Sequence, residues 1–245
     1  INAHETGALE SVGHKCLTLP TSNGKITAKQ VDTLIQEHYS DASSEHTVQP
    51  GIVYISFPTE SGTLYSKQEL TELYTVCQNH NIPLFIDGAR LGYGLVAKKN
   101  DVTFEDIANL CDVCYIGGTK VGALFGECIV ILNDLYKKDF RYAIKQHGGM
   151  LAKGRMLGIQ FEELFKDNRY LTISKHAIDM ADILTEGFQS KGYHFYFPAE
   201  TNQLFPIFEN AKLEELSKEF AFTPWAKIDE THTAVRFVTS FATKR

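Results

Sequence analysis

Lys120 stands where lysines are uncommon. An apolar run, Val113-Cys114-Tyr115-Ile116, passes through Gly117-Gly118-Thr119 into Lys120, and glycines return at Gly122 and Gly126. An amine at the end of a core strand loses solvation, which favours its neutral, nucleophilic form. Such an amine can form a Schiff base with a carbonyl. The plainer alternative is a lysine that only caps a strand-to-loop junction. Upstream, Ile82-Pro83-Leu84-Phe85-Ile86-Asp87-Gly88-Ala89-Arg90 repeats the pattern with a carboxylate at the strand end. In open parallel α/β sheets the carboxyl ends of the strands line the ligand crevice. Asp87 and Lys120 are therefore expected at one sheet edge, and a second role for Asp87 as a helix cap is compatible with that.

A carboxylate beside an amine suits pyridoxal 5'-phosphate (PLP). The aspartate keeps the pyridine nitrogen protonated and the lysine holds the aldehyde as an imine. Glycine and alanine around both residues let a flat ring approach the backbone. Arg236 lies within Val235-Arg236-Phe237-Val238, and a charge in an apolar strand needs a partner. An amino acid's α-carboxylate is the natural bidentate partner; a buried structural ion pair is the alternative.

With these residues in place, the chain resembles the threonine aldolase group of fold-type-I PLP enzymes, also called the aromatic amino acid β-eliminating lyase family. Phe85-Ile86-Asp87-Gly88-Ala89-Arg90 and Gly118-Thr119-Lys120 carry the likeness. His4-Glu5-Thr6-Gly7-Ala8, Gly13-His14-Lys15, the run Val53 to Thr63, Asn202 to Pro206 and Val235 to Ser240 extend it in order along the chain. The resemblance implies that Arg90 lies by the cofactor's phenolic oxygen and the substrate, and that Arg236 holds the substrate carboxylate. It implies a histidine near the substrate's β-hydroxyl; His46, one residue out of register, is the candidate, with an exposed loop histidine as the plain reading. His4 is expected to line the site, Glu5 to support it and Thr119 to touch the phosphate. The ring-stacking histidine would fall just before Ile1. One departure concerns a glycine-rich turn whose arginine faces the substrate in many members. Here Leu151 takes that place, with Lys153 and Arg155 as substitutes.

These residues need elements to position them. The apolar run Ile52 to Phe57 reads as a buried parallel strand, followed by strands ending at Asp87 and Gly117 and another from Gly126 to Leu132. Thr27, Ser66 and Thr103 are helix-start signals. The β-α-β alternation predicts an α/β domain, PLP-dependent transferase-like, with a mixed, mostly parallel sheet over residues 1–165. A short strand at Leu17–Pro20 and a long helix from His147 to Phe165 are expected within it. Residues 166–245 read as a smaller α+β domain: a helix near 174–191, strands at 193–197, 203–208 and 234–241, and a helix at 212–220. The chain opens at Ile1 without an initiator methionine and closes short of the family's final helix, so an internal portion of a longer protein is expected, lacking the first part of the large domain.

Composition narrows the field. A net charge of −6 argues against a nucleic-acid partner, and no apolar run reaches membrane-span length. The five cysteines lie scattered in apolar segments, as reduced thiols of a cytoplasmic protein would. Cys111 and Cys114 form a lone C-x-x-C, which makes a zinc site improbable. The reaction that the resemblance implies is retro-aldol cleavage of L-threonine or L-allo-threonine, β-hydroxy-α-amino acids, to glycine and an aldehyde. It also implies a homodimer or homotetramer with active sites at the interface. Another PLP β-eliminating lyase, an amino-acid racemase and a non-catalytic PLP-binding domain are the alternatives. A nucleotide-binding module is disfavoured, since no G-x-G-x-x-G or Walker motif is present.

Overall fold

Capped helices alternate with short apolar strands in the computed structural model, which describes residues 1–245. The first half runs α1 (Ala8–Ser11), α2 (Ala28–Ser40), β1 (Val53–Ser56), α3 (Lys67–Asn79), β2 (Leu84–Gly88), α4 (Leu91–Leu95), α5 (Phe104–Asn109), β3 (Val113–Ile116) and β4 (Cys128–Ile131). The second runs α6 (Phe140–Gln146), α7 (Arg155–Phe165), α8 (Arg169–Ser190), β5 (Gln203–Leu204), β6 (Ile207–Glu209), α9 (Asn210–Leu216), β7 (Thr223–Lys227) and β8 (His232–Val238). Thr27, Ser66 and Thr103 each open a helix through a capping box, with Gln30, Glu69 and Asp106 reaching back to the cap's own N–H. Each box satisfies two otherwise orphaned backbone donors.

The large sheet has the order β1-β2-β3-β4. The first three strands are parallel and β4 is antiparallel. Ser56 pairs with Asp87, and Asp87 pairs with Tyr115. Because side chains alternate along a strand, one face of the sheet carries Ile55, Leu84, Ile86 and Cys114, all buried in the main core. Each such aliphatic side chain contributes roughly 1.5–3 kcal/mol through burial. The other face carries Tyr54, Phe85, Asp87 and Tyr115, only half-buried. Tyr54 and Phe85 stack there with ring centroids 5.3 Å apart.

In the second sheet β8 pairs antiparallel with β5 and β6 on one side and β7 on the other. A helix of 22 residues, α8, joins the two halves. Its Tyr170, Ala177 and Ile178 belong to the main core, whereas Phe188 packs on Phe208 and Phe237 of the small sheet. The apolar core thus continues past residue 166, although the chain does kink between α7 and α8, where Asp167 and Asn168 adopt left-handed backbone.

Several expected elements take another form. Leu17–Pro20 forms no strand, and β1 is left as the outermost strand of its sheet. The long helix expected from His147 begins only at Arg155. Gly148, at φ +75°, ends the preceding α6, which the sequence did not signal. Residues 193–197 contribute one bridge, Phe195 to Pro206, in place of a strand. The run 203–208 splits around Phe205 and Pro206 into β5 and β6, and β7 was unforeseen. No helix is long and apolar enough to cross a membrane.

Candidate active site

The turn after β2 and the turn after β3 lie in backbone contact. Gly117 donates its N–H to Gly88 O at 2.8 Å. A Cβ on Gly117 would stand 2.1 Å from Ala89 O, so only glycine fits. The close approach gathers Asp87, Arg90 and Lys120 at the carboxyl edge of the large sheet, as their strand-end positions predicted.

Asp87 is half-buried and fully oriented. One carboxylate oxygen accepts from the Tyr54 hydroxyl and the other from the Ala89 N–H at 2.9 Å. Burial, then the hydrogen bond to Asp87, raises the Tyr54 phenol well above its usual range, so it stays protonated and donates. Tyr115, the neighbour of Asp87 on β3, is likewise raised by burial and by Glu127 and Asp87. Glu5 adds a smaller upward push on both tyrosines. His4 is exposed.

Lys120 sits in a one-turn 3₁₀ helix, Thr119–Val121, that carries it off the strand end. Its residue is exposed, not desolvated as its place after a core strand had suggested. The turn is held by others: Tyr93 donates its hydroxyl to Lys120 O, and Tyr170 donates to Gly117 O at 2.9 Å. Burial pushes the Tyr93 phenol up to about 12, so it remains a donor.

Arg90 is only 12% exposed and pairs with Glu60, Nη1 to Oε1 at 2.7 Å. Glu60 tops the loop after β1. Its neighbours Phe57 to Thr59 and Ser61 to Tyr65 are all buried, and Glu60 alone is exposed. Thr59 N–H to Thr63 O at 3.0 Å, Thr201 Oγ1 to Gly62 O at 3.0 Å and Gln203 Nε2 to Glu60 O at 3.3 Å lock the loop. A locked loop that presents one carboxylate reads as functional. The sequence reading missed Glu60, because what singles it out, the burial of every neighbour, depends on contacts far along the chain.

Arg236 lies on β8, its guanidinium carbon 5.6 Å from the centre of the Trp225 ring. Its Nε is buried and has no hydrogen-bond partner. The buried structural ion pair considered for it is not formed, because no carboxylate reaches it. A buried donor without an acceptor is costly and suits a carboxylate ligand.

Two expected site residues stand elsewhere. His46 lies in a 3₁₀ turn before the amino end of β1, 77% exposed, with Glu45 at 3.7 Å as its charged neighbour. Asp87 marks the opposite, carboxyl end of the sheet, so His46 is not brought to it. It borders a cavity of about 560 Å³ with Lys15, His38 and Asp41. Thr119 is exposed, and its hydroxyl donates to Glu127 at 2.5 Å. A phosphate there would face that carboxylate, so the phosphate contact expected of Thr119 is not supported. Leu151, Lys153 and Arg155 fall at and before the start of α7.

A mostly apolar cavity of about 920 Å³ runs between α2 and the sheet from Ile1 and Leu17 to Tyr54 and Phe85. Asp87, Arg90, Lys120 and Arg236 do not line it, so the candidate chemistry rests on the strand-edge residues.

Comparison with known proteins gives this arrangement its relatives. Residues 1–211 match the family described as Beta-eliminating lyase. A low specificity L-threonine aldolase of Pseudomonas sp. is 31% identical over 222 residues, covering 88% of this chain and 62% of that protein. The chain therefore spans just under two thirds of that curated relative. A solved structure of Leishmania major threonine aldolase superposes with a TM-score of 0.94 at 44% identity, covering 99% of this chain and 70% of that one. A PLP-bound protein from Clostridium difficile 630 shares the fold at 14% identity and a TM-score of 0.58, covering 92% and 59%.

Proposed function

The chain belongs to the Beta-eliminating lyase family and has the fold of fold-type-I PLP-dependent transferases, and from that premise we propose that it is the catalytic portion of a PLP-dependent aldehyde-lyase. Its substrates are L-threonine and L-allo-threonine, β-hydroxy-α-amino acids cleaved to glycine and an aldehyde. The observation that carries this is the contact of Gly117 with Ala89, which sets a fully oriented carboxylate and an exposed amine on one sheet edge.

The residues present fit the cofactor. Glycine at 117 lets the two strand-end turns meet, Asp87 offers a carboxylate for a protonated ring nitrogen, and Lys120 offers the anchoring amine. Bound there, PLP supplies the electron sink for the bond that breaks. The protein's residues do the rest. Asp87, fixed by Tyr54 and Ala89, holds the proton on the ring nitrogen. Arg236, with its buried unpartnered Nε, binds the α-carboxylate and so orients the substrate. Arg90, tied to Glu60, stays beside the Asp87 turn. Glu60, exposed on its locked loop at the same edge, takes the β-hydroxyl proton in place of His46.

An assembly of two or four copies belongs to the same reading. Leu124, 87% exposed, and Phe125, beside the Lys120 turn, support it as apolar side chains that a second copy would cover. Five free cysteines support a cytoplasmic setting.

The test uses full-length protein. PLP binding is followed by absorbance, and acetaldehyde release from L-threonine by a coupled dehydrogenase. Lys120→Ala is expected to abolish both. Protein that binds PLP yet releases no aldehyde from any β-hydroxy amino acid would overturn the aldolase reading. Unchanged turnover in Lys120→Ala would remove the lysine from the chemistry.

A further inference from the structure

An antiparallel strand begins at the edge where its parallel neighbours end. Cys128, the first residue of β4, pairs with Ile116, the last of β3. Glu127 therefore stands beside the turn that bears Lys120, although a loop separates them in sequence. One of its carboxylate oxygens accepts the Gly118 N–H, and the other accepts the Thr119 hydroxyl at 2.5 Å. Tyr170 holds Gly117 O and Tyr93 holds Lys120 O. Polar groups of residues 117 to 120 are thus tied in succession, while the Lys120 amine makes no hydrogen bond or ion pair. We propose that Glu127 is a positioning residue: its carboxylate fixes the turn from which Lys120 presents its amine, and the Thr119 hydroxyl serves this mount.

The inference rests on the PLP reading for its purpose and on the hydrogen bonds for its geometry. Two donors on two oxygens call for an acceptor-only group, which is an ionised carboxylate. Glu127→Gln keeps the size and one acceptor oxygen but puts an amide NH₂ against a donor. Glu127→Asp keeps the charge on a shorter stem.

Two measurements on the full-length protein separate a mount from a general structural role. The first is hydrogen exchange at the Gly118 amide without PLP. The second is the rate at which PLP becomes attached to Lys120, trapped by borohydride and read on the Lys120 peptide. In Glu127→Gln the Gly118 amide is expected to exchange about tenfold faster or more, the worth of one hydrogen bond to a charged acceptor, with the amides of β1 to β3 unchanged. Attachment is expected to slow by about the same factor, kcat to fall with KM for threonine unchanged, and Glu127→Asp to recover part of each. Exchange and attachment within twofold of the parent would overturn the proposal. So would a fall in Tm that tracks the loss in both variants, since that marks a structural role alone. A parent protein that never attaches PLP at Lys120 would instead overturn the PLP reading, with Gly118 exchange still reporting on the mount.

Discussion

Asp87 owes its orientation to a phenol on the next strand. The Tyr54 hydroxyl, kept protonated by burial and by the carboxylate itself, donates to one oxygen while Ala89 occupies the other. Removing that donor leaves the carboxylate free to rotate, so a ring nitrogen meets an acceptor that must first be ordered. Tyr54→Phe is expected to weaken PLP binding roughly tenfold, the worth of a hydrogen bond to a charged group. An absorbance titration with PLP checks this, and an unchanged Kd would show that Asp87 needs no such help. At this scale the sequence was most readable where a charge interrupts an apolar run. Asp87 and Lys120 follow such runs and Arg236 breaks one, whereas Arg90 is picked out by the family resemblance. Tyr54 and Glu60 do not stand out, since an aromatic in a strand is ordinary and an acid in a loop is expected. What distinguishes Glu60 is that every neighbour is buried, which depends on contacts with Thr201 and Gln203 far along the chain. For His46, residue type alone says nothing about which end of a strand its loop faces, and that loop precedes the amino end of β1.

Two strand-end turns packed backbone to backbone form the frame of the candidate site. A methyl at residue 117 would meet Ala89 O at 2.1 Å, and the surrounding atoms are backbone that cannot swing aside. Gly117→Ala is expected to cost about 1–3 kcal/mol, as overpacking does, and to slow PLP attachment at Lys120 as the turns part. A urea unfolding midpoint equal to the parent's would contradict this. Elements with local signals were legible: the three capping boxes and the apolar strands β1, β2 and β3 lie close to where their residues predict. The stretch from Phe140 to Gly154 was not, because its glycines break a helix whose apolar spacing continues across the gap. Strand β7 escaped notice too. It contains Pro224, and it is held by β8, which follows it in the chain.

Across the whole molecule the thiols report on the core. Cys77 is fully buried, and burial pushes its thiol up to about 12 from an ordinary value of 9.0. A raised folded value favours the neutral form, so the stability that this group contributes is fully present below about pH 9 and is lost as pH rises toward 12. The melting temperature is expected to hold up to about pH 9 and to fall above it; a flat profile to pH 11 would show that this burial does not matter to folding. Helix α8 has a mechanical consequence as well. At about 1.5 Å per residue it is a beam of about 33 Å, with Tyr170, Ala177 and Ile178 set in the main core and Phe188 under the small sheet that bears Arg236. Thr239 is also pinned to its midpoint, at Ala177 O. A beam clamped in this way flexes but does not swing. The span between the arginine that would hold a carboxylate and the edge that bears Asp87 and Lys120 is therefore fixed by a stiff spacer, and the length of substrate that can bridge it is fixed with it.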